Sequence, residues 1–200
     1  MALEILNSID GKWAGLDSDG RLVSRDYADA AGDAKVIAKK LYASVAASTA
    51  VSNTTTETEF DTNYTLPANI LKVGSLLRIR YQGIQTAQNS TNTLALKLYL
   101  GGTAGTALQA IAAATGAANN VFAGEFYLVV RTVGASGTFV GWGAYTATPA
   151  ASGTATMVVG IKASTAVDTT ATQKVSVAAT WSAASASNSV RLDYLGIELL

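Results

Sequence analysis

The 200-residue chain has no cysteine and no histidine, and only 2 prolines. Without cysteine there is no disulfide scaffold, no thiol nucleophile and no thiolate metal site. Without histidine there is no Ser-His-Asp or Cys-His machinery and no His-ligated zinc. Excess charge of either sign is also missing, since 14 basic residues balance 14 acidic ones. A nucleic-acid partner is therefore not expected, because it calls for a basic surface that displaces counterions. No apolar run approaches the roughly 20 residues of a membrane span, and Met1 to Trp13 has no basic flank and no run of signal-peptide length. No membrane partner is expected. Without a secretory signal, the glycosylation-type triplets at Asn53, Asn63 and Asn89 read as accidents of a Thr/Asn-rich chain. Carboxylate chemistry, a Lys or Tyr device, an oxygen-ligated metal, or no chemistry at all remain.

What is present is a chain in which Ala, Thr, Ser and Gly fill close to half of the positions. Ala buries little area, so the core must rest on a limited set of Leu, Ile, Val and aromatic residues. Nearly half of all charged residues fall within the first 40 positions, and the composition changes near residue 45. The small polar run from Ser44 to Ser52 marks the boundary, which divides the chain into an arm (1–45) and a body (46–200).

The arm has two pieces. Lys12 to Val23 reads as a hairpin around Asp19-Gly20, with Trp13 and Leu16 on one side and Leu22 and Val23 on the other. Asp17 to Gly20 also resembles a fragment of a calcium loop, but the later acidic ligands are missing. Asp26 to Tyr42 predicts a short helix. Tyr27, Ala31, Ala34, Ile37 and Leu41 recur at helical spacing, with acids early and lysines late. So small a segment buries too little surface to fold alone. We expect it to order on its own body, a sister subunit or a larger assembly, with Trp13, Leu16, Leu22, Tyr27, Ile37 and Leu41 as the partner-binding residues and Trp13 folding back onto the body as the alternative.

The body reads as antiparallel β-structure. Leu77, Ile79 and Tyr81 alternate with Arg78 and Arg80; Leu94, Leu96, Leu98 and Leu100 share one face; Phe126, Leu128 and Val130 alternate with Glu125 and Tyr127. Val175, Val177 and Trp181 form another such face, with Trp181 expected in the core, and Val190, Leu192 and Tyr194 a last one that switches phase after Gly196. A bulge at Gly196 would re-aim that strand. Further strands are expected at Thr54 to Phe60, Gly137 to Tyr145 and Ala155 to Ala163, and the one helical turn at Ala107 to Ala114. The count predicts an all-β fold, a jelly-roll-like antiparallel sandwich of about eight strands behind an N-terminal arm.

Several residues carry candidate chemistry. Glu57, Glu59 and Asp61 would line one strand face, as a cation site, a glycosidase-like pair or simply a solvated surface. Arg78 and Arg80 would face those acids in a surface ion-pair ladder. Trp142 and Tyr145 flank Gly141 and Gly143 and could stack on sugar rings, although the core is the usual place for such a tryptophan. GGTAG (Gly101 to Gly105) neither follows a strand into a helix nor fits a phosphate loop. No catalytic, cofactor or metal site is expected, and the chain does not read as an enzyme.

The segment SNTTTETEFDTNYTLPANILKVGSLLRIRYQG (Ser52 to Gly83) resembles the opening of jelly-roll modules common in structural proteins of tailed bacteriophages. The likeness continues through NTLALKLYLGGT (Asn92 to Thr103), ATGAANNVFAGEFYLVVRTVG (Ala114 to Gly134) and VSVAATWSAASASNSVRLDYLGIELL (Val175 to Leu200), about three quarters of the chain. Such modules occur in capsid decoration (cement) proteins, head fibres and tail receptor-binding proteins. A charged arm ahead of a single jelly roll is most like a decoration protein. The resemblance implies a virion protein, made in the host bacterial cytoplasm, on the outer capsid surface. Its expected partners are the major capsid protein and its own copies, as a homotrimer. The alternative it implies is a head-fibre or tail module that reads host glycans through Trp142 and Tyr145.

Overall fold

A computed structural model describes residues 5–7, 12–16, 22–25, 39–87, 89, 91–115, 119–147 and 156–200. The chain divides into two compact units, Met1–Ala38 and Lys39–Leu200.

The first unit contains β1 (Ile5–Asn7), β2 (Lys12–Leu16) and β3 (Leu22–Arg25), an antiparallel sheet in that order. Leu16 stands opposite Leu22, and Trp13 stands between Leu6 and Arg25. The expected hairpin is thus present as β2–β3, with β1 added on its other side. The Asp17 to Gly20 turn lies outside the described residues.

The second unit begins with four short strands: β4 (Lys39–Ala43), β5 (Val51–Ser52), β6 (Thr58–Glu59) and β7 (Tyr64–Leu66). Eight long strands follow: β8 (Leu76–Ala87), β9 (Thr93–Leu100), β10 (Thr106–Thr115), β11 (Asn120–Thr132), β12 (Gly137–Ala147), β13 (Thr156–Val167), β14 (Gln173–Trp181) and β15 (Ser189–Leu199). They form two antiparallel sheets. One has five strands, β10-β9-β14-β6 with β7 also on β14; the other has seven, β13-β12-β11-β8-β15-β4 with β5 also on β15. The fold is an all-β, jelly-roll-like sandwich. The eight long strands correspond to the expected number, and β4 to β7 raise the sandwich's total among the described residues to twelve.

The core lies between the sheets and follows the two-residue period. Leu94, Leu96, Leu98, Leu100, Val175, Val177 and Trp181 face inward from the five-stranded sheet. Leu77, Ile79, Tyr81, Phe122, Phe126, Leu128, Phe139 and Ile197 meet them from the seven-stranded sheet. Two buried polar groups are satisfied across this core. The Tyr81 hydroxyl donates to Gln109 Oε1 at 2.7 Å, and Trp181 Nε1 donates to the Val51 carbonyl at 3.3 Å. Burial pushes the Tyr81 phenol well above its ordinary pKa.

Three local expectations are corrected. Residues 39–42, expected as the end of a helix, form β4, with Tyr42 opposite Ile197 and Ala43 opposite Gly196. Leu41 and Tyr42 pack against the core, and Tyr42 stacks on Tyr64 at 5.2 Å. Burial and strand pairing override a helical pattern of modest propensity. The rest of that segment lies outside the described residues. Ala107 to Ala114 lies in strand β10 rather than in a helical turn, because the segment pairs along β9, with Ile111 opposite Leu96, and buries Leu108 and Ile111. The phase switch in β15 lies between Leu192 and Tyr194, where the register with β8 slips, and not at Gly196. Leu195 and Ile197 then point inward, while the Tyr194 ring lies over the space where a Gly196 Cβ would be.

Candidate interaction face

The outer surface of the seven-stranded sheet carries the most informative side chains. Cross-strand pairing aligns Glu198 (β15), Arg78 (β8), Tyr127 (β11), Trp142 (β12) and Ile161 (β13) in one row across five strands. The neighbouring row runs through Arg80, Glu125, Ala144 and Val159. The face is charged toward β15 and apolar toward β13.

On the charged side, Arg78 donates to Glu198 Oε2, and Arg80 Nη2 donates to Glu198 Oε1 at 2.9 Å. Arg78 Nε lies 3.8 Å from Glu125. Burial works to raise the Glu198 pKa, but the hydrogen bonds and charges of Arg78 and Arg80 outweigh it and hold the group below its ordinary value. Two arginines and two glutamates leave this patch without net charge. The basic pair therefore belongs with Glu198 of its own sheet, and not with Glu57, Glu59 and Asp61 as expected.

Those three acids are held separately by donors of their own. Glu57 accepts from the Tyr99 hydroxyl at 2.7 Å and Lys97 Nζ at 3.2 Å; Glu59 pairs with Lys174 and accepts from the Thr103 amide at 2.6 Å. Asp61 accepts from the Thr49 amide at 2.9 Å. The Asp61 pKa is lowered chiefly by the Thr49 side-chain hydrogen bond. Among the described residues no group of three or more His, Cys, Asp or Glu side chains is placed to hold a metal ion.

On the apolar side, Trp142 is 56 % exposed and stacks on Tyr127 with ring centroids 4.8 Å apart and planes 25° apart. Ile161 and Val159 beside it are 77 % and 55 % exposed. Tyr145 is on the other face, buried in the core beside Phe122, where burial raises its pKa to about 12. A spacing of three residues on a strand puts two side chains on opposite faces, so Trp142 and Tyr145 cannot share a surface. The glycines beside Trp142 serve the inner face: a Cβ at Gly141 would stand 2.6 Å from the Phe126 ring, and one at Gly143 would also meet it at 2.6 Å.

Along the strands from the Trp142 row, in the rows through Arg80 and Gln82, lies a shallow depression of ≈ 340 Å³, lined by Arg80, Gln82, Glu125, Thr146 and Tyr194 over a floor that includes Gly124. Its polar atoms come from β8, β11, β12 and β15, which the antiparallel register brings together. Sequence reasoning found Trp142 but not its stacking partner Tyr127 or the flanking Val159 and Ile161. The period-2 pattern does hold Tyr127 on the non-core side of β11, and that was the available signal.

Of the residues expected to bind a partner, Trp13 and Leu16 are on β2 and Leu22 is on β3, on adjacent strands of the first unit. Leu41 is on β4, within the sandwich. Tyr27 and Ile37 lie outside the described residues.

No protein-family model matches the chain, and no curated protein matches its sequence. Solved structures do align with it. A chain from the structure of infectious bursal disease virus Gt strain aligns with 100 % of this chain and 42 % of its own length, at 12 % identity and a TM-score of 0.39. The Gx strain of that virus aligns with 99 % and 40 %, at 12 % identity and a TM-score of 0.33. The CBM2 module of an evolved Dit from Lactobacillus casei BL23 phage J-1 aligns with 68 % and 67 %, at 9 % identity and a TM-score of 0.27. The chain thus spans about two fifths of the length of the two virus chains. Likenesses of this size leave the function to the residues themselves.

Proposed function

We propose that this chain is a structural protein of a tailed-bacteriophage virion, a decoration (cement) protein on the outer surface of the head. Its partners are the major capsid protein and its own copies, arranged as a homotrimer. The observation that carries the reading is the division into a self-contained sandwich, Lys39–Leu200, and a separate small sheet within Met1–Ala38. A protein that grips a repeating shell needs contact area and a stable body, and a small unit that orders on the shell adds interface at an entropic cost. Trp13, Leu16 and Leu22 supply apolar anchors for that unit. The resemblance of Ser52 to Gly83 to phage jelly-roll modules supports the same reading.

The test is co-sedimentation with expanded, undecorated heads of the parent phage. The full chain is expected to pellet with heads and residues 39–200 to stay in the supernatant. The cut belongs at residue 38, because a cut at 43 would strip β4 from the sandwich. Light scattering of the full chain is expected to give the mass of three copies. Equal pelleting of both forms, or of neither, contradicts the proposal.

A further inference from the structure

We propose that the outer face of the seven-stranded sheet holds a binding site for a neutral saccharide, with Trp142 as the stacking platform and the adjoining depression as the hydrogen-bonding subsite. This goes beyond the decoration reading and does not depend on it, since a saccharide site suits a head or a tail protein equally.

Three observations point this way. First, Trp142 is 56 % exposed, and stacking of one face of its ring against the Tyr127 ring of the neighbouring strand holds its orientation. A pre-oriented aromatic plane matches the C–H face of a pyranose, and the ordering cost is already met by the fold. Second, Ala144 is two residues along the same outward face from Trp142, about 7 Å on at strand rise, and it lines the depression. A ligand of several sugar units that runs from Trp142 past Ala144 therefore meets Glu125 and Thr146 first and then, across the strands, Arg80 and Gln82. These groups present planar bidentate and hydroxyl functions suited to vicinal diols. The volume of ≈ 340 Å³ falls at the small end of ligand pockets, which run from about 300 to 1,000 Å³. Third, the charges are already compensated. Arg80 is engaged by Glu198, and Glu125 lies 3.8 Å from Arg78. An anionic ligand would need a free cation, and a cationic one a free carboxylate. A neutral polyhydroxylated ligand needs neither.

The full chain is applied to an array of neutral oligosaccharides built from glucose, galactose, mannose, rhamnose and N-acetylhexosamines, with sialylated and sulfated counterparts alongside. The strongest neutral binder is then titrated by calorimetry. Trp142→Ala is expected to weaken binding by about tenfold or more, the loss of one aromatic stacking contact. Gln82→Ala, an exposed change that leaves the platform intact, is expected to weaken it severalfold. Circular dichroism of both variants is expected to match the parent. Absence of any neutral binder, a preference for the acidic glycans, or unchanged affinity in Trp142→Ala overturns the proposal. A fall in the solution mass of Trp142→Ala also overturns it, because the face would then be a contact between copies. Head binding through Met1–Ala38 is read in a separate assay, so either idea can fail alone.

Discussion

Strand β12 shows two kinds of surface within eleven residues. Phe139 and Tyr145 point inward with Gly141 and Gly143 between them, and the glycines leave the space that the Phe126 ring occupies. Val140, Trp142 and Ala144 point outward, and Trp142 keeps more than half of its surface in solvent. The inner face has its volumes matched residue by residue, which is where the stability resides. The outer face holds an aromatic that the fold itself does not need. Large apolar surface kept on the outside of a well-packed sheet indicates an interaction surface rather than a packing element.

The contrast can be broken first from the inside. Phe126→Ala empties the site between the two glycines and is expected to cost about 3–5 kcal/mol, read by urea denaturation. Gly143→Ala is next: its Cβ would overlap the Glu125 carbonyl and the Phe126 ring. The overpacking is expected to cost about 1–3 kcal/mol in the same assay.

The charged rows come third. Glu198→Gln removes the carboxylate charge that Arg78 and Arg80 share and turns one of the two acceptor oxygens into a donor, and is expected to cost about 1 kcal/mol near neutral pH. The folded pKa of Glu198 lies below its ordinary 4.5. Its stabilisation is therefore present above that value and is lost as pH falls through the lower, folded one. Thermal midpoints followed from neutral pH down through the carboxylate range should fall for the parent. They should fall less for Glu198→Gln, with Glu59, Asp61 and Asp168, whose pKa values are also lowered, contributing to the slope that remains. The smallest effect belongs to the outer face. Trp142→Ala, which gives up the Tyr127 stack, is expected to cost about 0.5 kcal/mol, the low end for an exposed aromatic pair. A large loss there would erase the distinction between the faces.

Long strands with strict alternation were legible in the sequence. Leu94 to Leu100 and Val175 to Trp181 bury the residues that the period-2 reading selects, because both strands are central in their sheet. Val159 and Ile161 alternate just as cleanly yet face solvent, since β13 is the last strand of its sheet and periodicity alone does not say which face is covered. Leu41 and Tyr42 fit a helical pattern, and only the distant β15 makes them a strand. The reading of Trp142 and Tyr145 as one site failed on parity, which the sequence contained. The stacking of Tyr127 on Trp142 needed the β11–β12 register, which it did not.

The most direct measurement is a cryo-electron microscopy map of intact virions from the parent phage. The account predicts a β-sandwich of this shape repeated on the outer surface of the head, with residues of Met1–Ala38 against the shell. Density for the sandwich at the tail, or a head surface without it, would contradict the decoration role.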